Sequence, residues 1–371
     1  MNQTISNSKF LVLGGAGSIG QEVVKLLFLN FPKKLHVVDI SENNLVELVR
    51  DIRSSFGYIK GDFRVFSLDI SKLEYDKFIE NDGKYDFVLN LSALKHVRSE
   101  KDPFTLIRLI ETNIFNVEKT LRQSIANGVK NYFSVSTDKA ANPANIMGAS
   151  KRIMELFMLR ESNKIKVTSA RFANVLYSDG SLLHSFNNRL TKNQPIVAPL
   201  DIKRYFITKY DAANLCLNAA INGNNREIFF PRLNPKDDLK SFKDLAISFL
   251  KEKGLHPLEC ESEEQARSLV KKDKKNNHWP CFFSKSETTG EKPFEEFYSL
   301  KENINLNRYE SVGVIENSEK MNFKNLDLFK QEIETFKKND IWTREKLIEI
   351  FKKTLRELDH IEKNKFLDDK M

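Results

Sequence analysis

A glycine-rich segment near the N-terminus carries the clearest sign of chemistry in this chain of 371 residues. It lies between an apolar run that predicts a strand (9–13) and a pattern that predicts a helix (20–30), and it reads Gly14, Gly15, Ala16, Gly17, Ser18, Ile19 and Gly20. Glycines in such a turn let backbone N–H groups approach a pyrophosphate, and the helix N-terminus adds partial positive charge. We therefore expect the phosphates of a dinucleotide to contact Gly14, Gly17, Ser18, Ile19 and Gly20.

Acidic residues end the next two predicted strands. Asp39 lies about twenty residues after the glycine turn, where a carboxylate accepts hydrogen bonds from ribose hydroxyls and repels a 2′-phosphate. This placement favours NAD over NADP, although a strand-end Asp without a ligand is the alternative. Asp69 ends the third strand and is either an adenine contact or a helix N-cap.

Thr137, Asp138 and Lys139 follow the fifth predicted strand directly. Open parallel sheets bind ligands at the carboxyl ends of their strands, so this position favours a role in chemistry. The alternative is that Asp138 caps a helix and Lys139 is a solvated loop residue.

The elements that would position these groups alternate along the first half of the chain. Apolar runs predict strands at 9–13, 35–39, 63–68, 86–90, 131–136 and 166–170, and helical patterns lie at 20–30, 42–55, 75–80, 103–126 and 146–161. Ser41 is a suitable N-cap for the second helix. Apolar strands separated by helices indicate a parallel sheet covered on both faces, so we predict a Rossmann-type, doubly wound α/β fold.

The second half is less regular, and we predict a domain boundary at residue 175. Residues 1–175 would form the NAD-binding domain, and 176–371 a smaller C-terminal α/β lobe that binds substrate. That lobe would contain a helix-bearing insertion (235–277), two C-terminal helical patterns within 321–362, and a frayed tail at 366–371. The second helical pattern (343–362) has one apolar stripe, which is explained by core or dimer packing: Leu347, Ile350, Phe351, Leu355 and Leu358.

Composition and charge exclude several other classes of protein. The net charge of +8 is spread along the chain, which favours a solvated surface over nucleic-acid binding. The three cysteines and six histidines show neither disulfide nor metal-site spacing. We find no signal peptide and no apolar run long enough to cross a membrane, so we expect a cytoplasmic protein without a metal, a nucleic-acid partner or a membrane partner.

Further motifs resemble one enzyme family. The glycine spacing is that of extended short-chain dehydrogenase/reductases, and residues 8–230 resemble the nucleotide-sugar 4,6-dehydratases of the polysaccharide-biosynthesis branch, chiefly those acting on UDP-N-acetylglucosamine. The motifs that carry this resemblance are 91–97 (LSALKHV), Thr112-Asn113, 136–140 (STDKA), Asn142-Pro143, 147–151 (MGASK) and 171–175 (RFANV). The segment 288–292 (TTGEK) resembles an extension in some soluble members, as a loop near the sugar or as a subunit contact.

One position departs from the Tyr-x-x-x-Lys pattern of short-chain dehydrogenases. Met147 replaces the tyrosine, four residues before Lys151 on the same helix face. A thioether cannot take a proton from a hydroxyl, and taken alone it would indicate an inactive protein or a core methionine. A set of UDP-N-acetylglucosamine 4,6-dehydratases resembles this chain in having Met there, which implies that Thr137, Asp138 and Lys139 carry the acid–base work.

The resemblance implies roles for the remaining residues. Catalysis would use Thr137, Asp138, Lys139, Met147 and Lys151, with Asp138 as the acid at C6, Lys139 as the base at C5, and Thr137 bonding the C4 oxygen. NAD would contact the glycine turn together with Asp39, Asp69, Ile70, Ser92, Ala93, Lys95, Asn113 and Lys151. The substrate would contact Lys95, His96, Asn174, Ser181 and Arg204, with Arg171 in the same strand-six segment. His96 alone is more typical of a structural histidine.

The resemblance therefore predicts an NAD-dependent, C5-retaining UDP-N-acetylglucosamine 4,6-dehydratase, and we expect a homo-oligomer with a UDP-sugar substrate. A C5-inverting dehydratase, a dehydratase for another nucleotide-sugar and a 4-epimerase are alternatives. From a different class, Met147 alone supports a non-catalytic NAD-binding sensor or scaffold.

Overall fold

A nine-stranded sheet organises the first part of the molecule. The computed structural model describes residues 1–272, 277–317, 321, 323–363 and 365. The strands are β1 (Lys9–Leu13), β2 (Lys34–Asp39), β3 (Asp62–Ser67), β4 (Phe87–Asn90), β5 (Asn131–Thr137), β6 (Lys166–Phe172), β7 (Asn174–Val175), β8 (Ile196–Pro199), β9 (Lys203–Ile207), β10 (Glu227–Pro231), β11 (Leu239–Ser241), β12 (His256–Cys260), β13 (His278–Ser284), β14 (Ile304–Asn305) and β15 (Val312–Glu316).

The helices lie between these strands and after them. They are α1 (Asn2–Ser6), α2 (Ser18–Phe28), α3 (Glu42–Phe56), α4 (Leu73–Asp82), α5 (Pro103–Ile110), α6 (Asn116–Ala126), α7 (Ile146–Arg160), α8 (Leu182–Thr191), α9 (Lys209–Asn222), α10 (Phe242–Glu252), α11 (Glu263–Lys272), α12 (Lys324–Lys337) and α13 (Arg344–Thr354). Short 3₁₀ turns occupy Val97–Glu100 and Asp138–Ala140. Among these described helices, none combines the length and the apolar character that a bilayer span requires.

The sheet has the order β14-β15-β10-β6-β5-β4-β1-β2-β3. From β3 to β10 all neighbouring strands are parallel, and β15 and β14 then pair antiparallel at one edge. The first six strands therefore follow the doubly wound order 3-2-1-4-5-6. The predicted Rossmann-type α/β fold is confirmed.

The long helix predicted at 103–126 is interrupted in the middle. A π-helical turn, Glu111–Phe115, separates α5 from α6 and contains the buried residue Asn113. Asp102 caps the N-terminus of α5 through its side chain, and Pro103 follows at the first helical position, where its missing N–H has no cost. The π turn places Asn113 toward the loop that follows β4.

The two C-terminal helices, α12 and α13, pack on α5 and α7. Their apolar residues join one buried cluster with the apolar side of α5 and α7, and the rings of Phe329 and Phe351 lie 5.2 Å apart within it. The stripe predicted within 343–362 is therefore core packing in this chain. The helix ends at Thr354, so the last part of the stripe, Leu355 and Leu358, lies beyond it.

The chain folds into two compact units, and their bounds differ from the boundary predicted at residue 175. Over the described residues, the first compact unit comprises 1–172, 209–232 and 296–360, and the second comprises 173–208, 233–295 and those after 360. The segments that hold β10 and β15 belong to the first unit because β10 pairs with β6, and β15 pairs with β10. The C-terminal helices α12 and α13 also belong to the first unit, because they pack on α5 and α7. The prediction assigned all of these residues to the second lobe, so one boundary does not describe this chain.

The second unit, taken by itself, holds two small sheets of three strands each. One has the order β11-β9-β7 and the other β12-β13-β8. Helices α8 and α10 supply much of its buried cluster, including Phe186 and Phe249, whose rings lie 5.6 Å apart. The predicted insertion contains α10 and α11, and β13, which follows it, is the central strand of its sheet. The predicted frayed tail, 366–371, lies outside the described residues.

Candidate active site

The glycine turn lies against the loop that follows β4, with no room for side chains at two positions. A Cβ atom on Gly20 would lie 2.3 Å from the Gly14 carbonyl oxygen, and one on Gly14 would lie 2.6 Å from the Ser92 nitrogen. Gly14 also has a φ of 70°, in the region that favours glycine. Gly17 is the N-cap of α2, so the turn leads directly into the helix N-terminus where Ser18 and Ile19 follow. This geometry suits a phosphate-binding turn.

Asp39 holds the glycine turn in place. Its Oδ2 accepts a hydrogen bond from the Ala16 N–H at 3.0 Å, and its Oδ1 accepts one from the Ser41 N–H at 2.9 Å. Each carboxylate oxygen has a second lone pair, so these bonds leave acceptor capacity for hydroxyl groups. The next residue, Ile40, is 68% exposed.

At the end of β3, the side chains of Asp69 and Ile70 have different surroundings. The Asp69 carboxylate accepts the Ser71 N–H at 2.8 Å, so it stabilises the local turn. Ile70 is buried in the core, and its carbonyl accepts a hydrogen bond from the Lys119 ammonium. Of the two residues, only Asp69 has a polar side chain at this edge that a ligand could contact.

Two buried amides fix the loop after β4. Asn90 accepts the Ser92 N–H at 3.0 Å. The side chain of Asn113 pairs with both backbone groups of Leu94 at 2.9 Å and donates to the Ser150 hydroxyl at 3.0 Å. Asn113 is fully buried, so the structure places it beneath the loop, where it positions the loop backbone. Ala93 lies on this loop, and Lys95 and His96 are exposed further along it.

Thr137, Asp138 and Lys139 form one hydrogen-bonded cluster at the end of β5. The Asp138 Oδ1 accepts the Thr137 hydroxyl at 2.9 Å, the Lys139 N–H at 2.8 Å and the Lys139 ammonium at 3.0 Å. The carboxyl group of Asp138 is buried. A buried carboxylate with three donors around one oxygen keeps a fixed position, which a proton-transfer group requires.

Helix α7 approaches this cluster closely because Gly148 has no side chain. A Cβ atom at Gly148 would lie 2.4 Å from the Lys139 carbonyl oxygen. Asn145 caps the helix by accepting the Gly148 N–H at 2.8 Å. The glycine in the MGASK motif therefore has a packing function: it lets the first turn of α7 contact the turn at Asp138–Ala140.

Met147 and Lys151 on this helix have contrasting surroundings. Met147 is buried in the apolar cluster of α5, α7, α12 and α13, and its N–H donates to Glu100 at 3.1 Å. Lys151 is also buried, and its ammonium donates to the Val135 carbonyl at 3.0 Å. Burial lowers the pKa of Lys151 to about 7, against the opposing charge of Glu155. Lys151 therefore changes its charge near neutral pH.

Arg171 lies in the interior of the first unit, although the resemblance placed it with the substrate segment. It is fully buried and forms two-pronged ion pairs with Glu155 and Glu302. Its guanidinium also donates to the Phe297 carbonyl at 2.9 Å. Sequence reasoning missed both acidic partners. The periodicity of α7 places Glu155 four residues after Lys151, but no sequence signal pointed to Glu302.

The other predicted substrate residues belong to the second unit. Asn174 is the first residue of β7 and pairs with Phe206 of β9. Ser181 caps α8 by accepting the His184 N–H at 3.3 Å. Arg204 is buried, and its guanidinium donates to the carbonyls of Lys203, Lys292 and Pro293, with Glu291 and Glu295 within 4 Å. Arg204 thus has several protein partners in this unit, and the sequence did not indicate these contacts.

Comparisons with known proteins give relatives of several kinds. An uncharacterized membrane protein of Methanocaldococcus jannaschii is 30% identical over 327 residues, which cover 85% of this chain and 89% of that one. A UDP-N-acetylglucosamine 4,6-dehydratase (inverting) of Campylobacter jejuni is 27% identical, covering 62% of this chain and 68% of that one. A UDP-glucose 4-epimerase of Rickettsia canadensis is also 27% identical, covering 59% and 64%.

The same fold occurs in the dTDP-glucose 4,6-dehydratase DesIV of Streptomyces venezuelae, solved with NAD and TYD bound. The TM-score is 0.60 at 17% identity, covering 89% of this chain and 97% of that one. In addition, residues 10–317 match the family described as polysaccharide biosynthesis protein. Because that match spans most of the sequence, this chain belongs to the polysaccharide biosynthesis protein family.

Proposed function

We propose that this chain is an NAD-dependent 4,6-dehydratase that converts UDP-N-acetylglucosamine to a UDP-4-keto-6-deoxy sugar for surface glycan synthesis. The observation that carries the proposal is the cluster of Thr137, Asp138 and Lys139 at the carboxyl end of β5, in contact with the helix that carries Lys151. The relatives named as nucleotide-sugar dehydratases support this class of substrate.

The glycine turn and Asp39 fit a bound NAD. Gly14 and Gly20 allow the close backbone contacts that shape the turn, since a Cβ atom on either would clash with the backbone, and the turn leads into the N-terminus of α2, which favours a pyrophosphate. The Asp39 carboxylate would accept the adenosine ribose hydroxyls, and Ile40 offers an apolar surface to the adenine. When bound, NAD⁺ would accept a hydride from C4 of the sugar and return it to C6.

Proton transfer would fall to the cluster after β5. The C5 proton is acidic only while C4 is a ketone, and Lys139 would remove it as a neutral amine. Asp138 would then protonate the departing C6 hydroxyl, which leaves as water. Because the two side chains share a hydrogen bond of 3.0 Å, one proton moved from Lys139 to Asp138 prepares both roles at once. Thr137 would hold the C4 oxygen, whose hydroxyl proton leaves to solvent as the ketone forms. Once the hydride reaches C6, Lys139 would return its proton to C5.

Lys151 would assist from α7. As an ammonium it would donate to the nicotinamide ribose and favour the loss of hydride from C4. Its pKa of about 7 means that this positive charge is present in acid and lost as the pH rises through neutrality. Met147 offers no proton, and its place in the apolar cluster agrees with a packing function.

The direct test is incubation of the full chain with UDP-N-acetylglucosamine, followed by mass measurement of the nucleotide-sugar. We expect loss of one water, and no loss with Lys139→Ala as the matched control. Bound NAD without product from any UDP-sugar would instead indicate a binding protein.

A 4-epimerase is the second candidate, because several relatives carry that name. Its product has the same mass as its substrate, so the same measurement separates the two reactions.

The configuration at C5 of the dehydratase product requires a second measurement. We propose retention on the resemblance to the dehydratases with Met at this position, and the Campylobacter relative named as inverting supports the opposite outcome. Proton coupling constants of the product distinguish the two.

A further inference from the structure

We infer that Glu155 is a positioning residue for the proposed reaction, because its carboxylate joins the helix that carries Lys151 to β5, the strand that leads into the cluster of Thr137, Asp138 and Lys139. This inference rests on the proposed function. Glu155 is fully buried on α7, one helical turn after Lys151, and neither the motifs nor the resemblance assigned it a role.

Both oxygens of the Glu155 carboxylate have short polar contacts. Oε1 accepts the Ser136 hydroxyl at 2.6 Å and the Arg171 Nε–H at 2.9 Å. Oε2 accepts from Arg171 at 2.8 Å and from Arg152 at 3.0 Å. Although burial alone would raise it, the charge of Arg171 holds the pKa of Glu155 at about 2. The carboxylate is therefore ionised and fixed by three side chains.

The opposite side of Arg171 is fixed in the same way by Glu302. That carboxylate accepts from Arg171 at 2.7 and 2.8 Å, and from the Ser299 N–H at 2.8 Å. Arg152 lies near both acidic residues, so two guanidinium groups meet two carboxylates. Removing one member would leave a buried charge without its partner, which makes alternative arrangements costly.

The contact with Ser136 connects this network to the chemistry. Ser136 directly precedes Thr137 on β5, and the Lys151 ammonium donates to the carbonyl of Val135, one residue earlier. Glu155 thus fixes α7 against the strand segment to which Lys151 also bonds. A shift of α7 along β5 would move Lys151 and the acid–base cluster relative to each other.

Glu155 also acts on Lys151 by its charge. The other charged groups around α7 have their own partners. In the turn after β5, Asp138 pairs with Lys139, and on β6 Arg171 pairs with its two carboxylates. Arg152 on α7 contacts the same two carboxylates, and the buried Glu100 accepts the Met147 N–H and contacts the His360 ring. The Glu155 carboxylate opposes the loss of the Lys151 proton that burial favours. Neutralising Glu155 would therefore make Lys151 lose its charge at a lower pH.

The experiment measures NADH binding by fluorescence from pH 5.5 to pH 9 on the full chain without sugar, for the unmodified protein, Glu155→Gln and Glu302→Gln. We expect affinity to fall as the pH rises through the Lys151 pKa. In Glu155→Gln the midpoint moves down by about one pH unit, which weakens binding several-fold at pH 7. Glu302→Gln removes one charge from the same network but not the one that acts on Lys151, so its midpoint stays in place.

Equal shifts in both variants, or no shift in either, would overturn the inference, since a merely structural network treats its two carboxylates alike. No binding by the unmodified protein at any pH would instead contradict the proposed function.

If circular dichroism shows that Glu155→Gln does not fold, Ser136→Ala removes the hydrogen bond between β5 and Glu155 without changing any charge. We expect about a tenfold lower kcat for the dehydratase reaction, at an unchanged pH midpoint. An unchanged kcat in that variant would also overturn the inference.

Discussion

The Lys139 ammonium donates to the Asp138 carboxylate at 3.0 Å, so the proposed base and the proposed acid are direct partners. As an ion pair, each group carries the proton state opposite to the one that its role requires. Transfer of a single proton between them corrects both states, which couples removal of the C5 proton to departure of the C6 hydroxyl. The pair therefore acts as a unit, and its members must be separated by mutation.

Lys139→Ala and Asp138→Asn give that separation when substrate is incubated in heavy water. Lys139→Ala lacks the base, so we expect no deuterium at C5 of recovered substrate. Asp138→Asn keeps the shape of the side chain but cannot protonate the leaving hydroxyl, so we expect deuterium at C5 with slow elimination of water. Mass spectrometry reads both outcomes. Exchange in Lys139→Ala, together with its absence in Asp138→Asn, would reverse the two assignments.

Met147→Leu should retain at least about half of the activity. The two side chains have similar volume, and Met147 is buried in the apolar cluster of α5, α7, α12 and α13. Met147→Tyr restores the hydroxyl of the common pattern but adds volume to a filled cluster. We expect it to lower the free energy of unfolding by about 1–3 kcal/mol without raising activity. Urea denaturation and the water-loss assay check both variants, and a loss in Met147→Leu as large as that in Lys139→Ala would show an unexplained role.

Asp39→Ser should relax the preference for NAD over NADP by about tenfold, because the carboxylate that would repel a 2′-phosphate is removed. Asp69→Ser is the matched control: it also removes a carboxylate that accepts a backbone N–H at a strand end. The control should leave the cofactor ratio near that of the unmodified protein. Titration with both cofactors supplies the measurement, and equal affinity of the unmodified protein for the two would contradict the assignment of Asp39.

Lys151→Met should abolish activity and yet stabilise the protein without cofactor. Burial lowers the Lys151 pKa to about 7 from an ordinary value of 10.5, so the folded state disfavours the ammonium. This cost is complete below pH 7 and disappears as the pH rises toward 10.5, where the unfolded chain also loses the proton. We expect the substitution to add about 1–3 kcal/mol to the free energy of unfolding at pH 6 and little at pH 10. A gain that does not change with pH would contradict the lowered pKa.

Local patterns predict the alternating first half of the fold well. The strands β1 to β6 and the Ser41 cap follow from apolar runs and from a side chain that can accept the Asn44 N–H. The domain boundary fails because β10 joins the sheet through pairing with a strand far along the chain, and hydropathy carries no information about such partners. The helix beginning at Arg344 also ends earlier than its stripe, since apolar residues beyond Thr354 pack without helical backbone.

The candidate site also divides into features that the local sequence predicts and features that the tertiary structure sets. Thr137, Asp138 and Lys139 are adjacent in sequence, so their cluster needs only a strand end to form. Asn113 depends on a π-helical turn that directs its amide toward Leu94, and periodicity does not reveal that turn. Glu302 lies 131 residues from Arg171, so their contact is set by the tertiary structure.

The late position of α12 and α13 in the sequence has a consequence for synthesis on the ribosome. Their apolar partners on α5 and α7 leave the exit tunnel about 180 residues before α12 is complete, a delay of roughly nine to thirty-five seconds at ordinary elongation rates. During that interval the nascent chain presents an uncovered apolar helix face next to a partly formed sheet. Chaperone binding to this nascent face, followed by release when the last helices emerge, would protect the chain from aggregation.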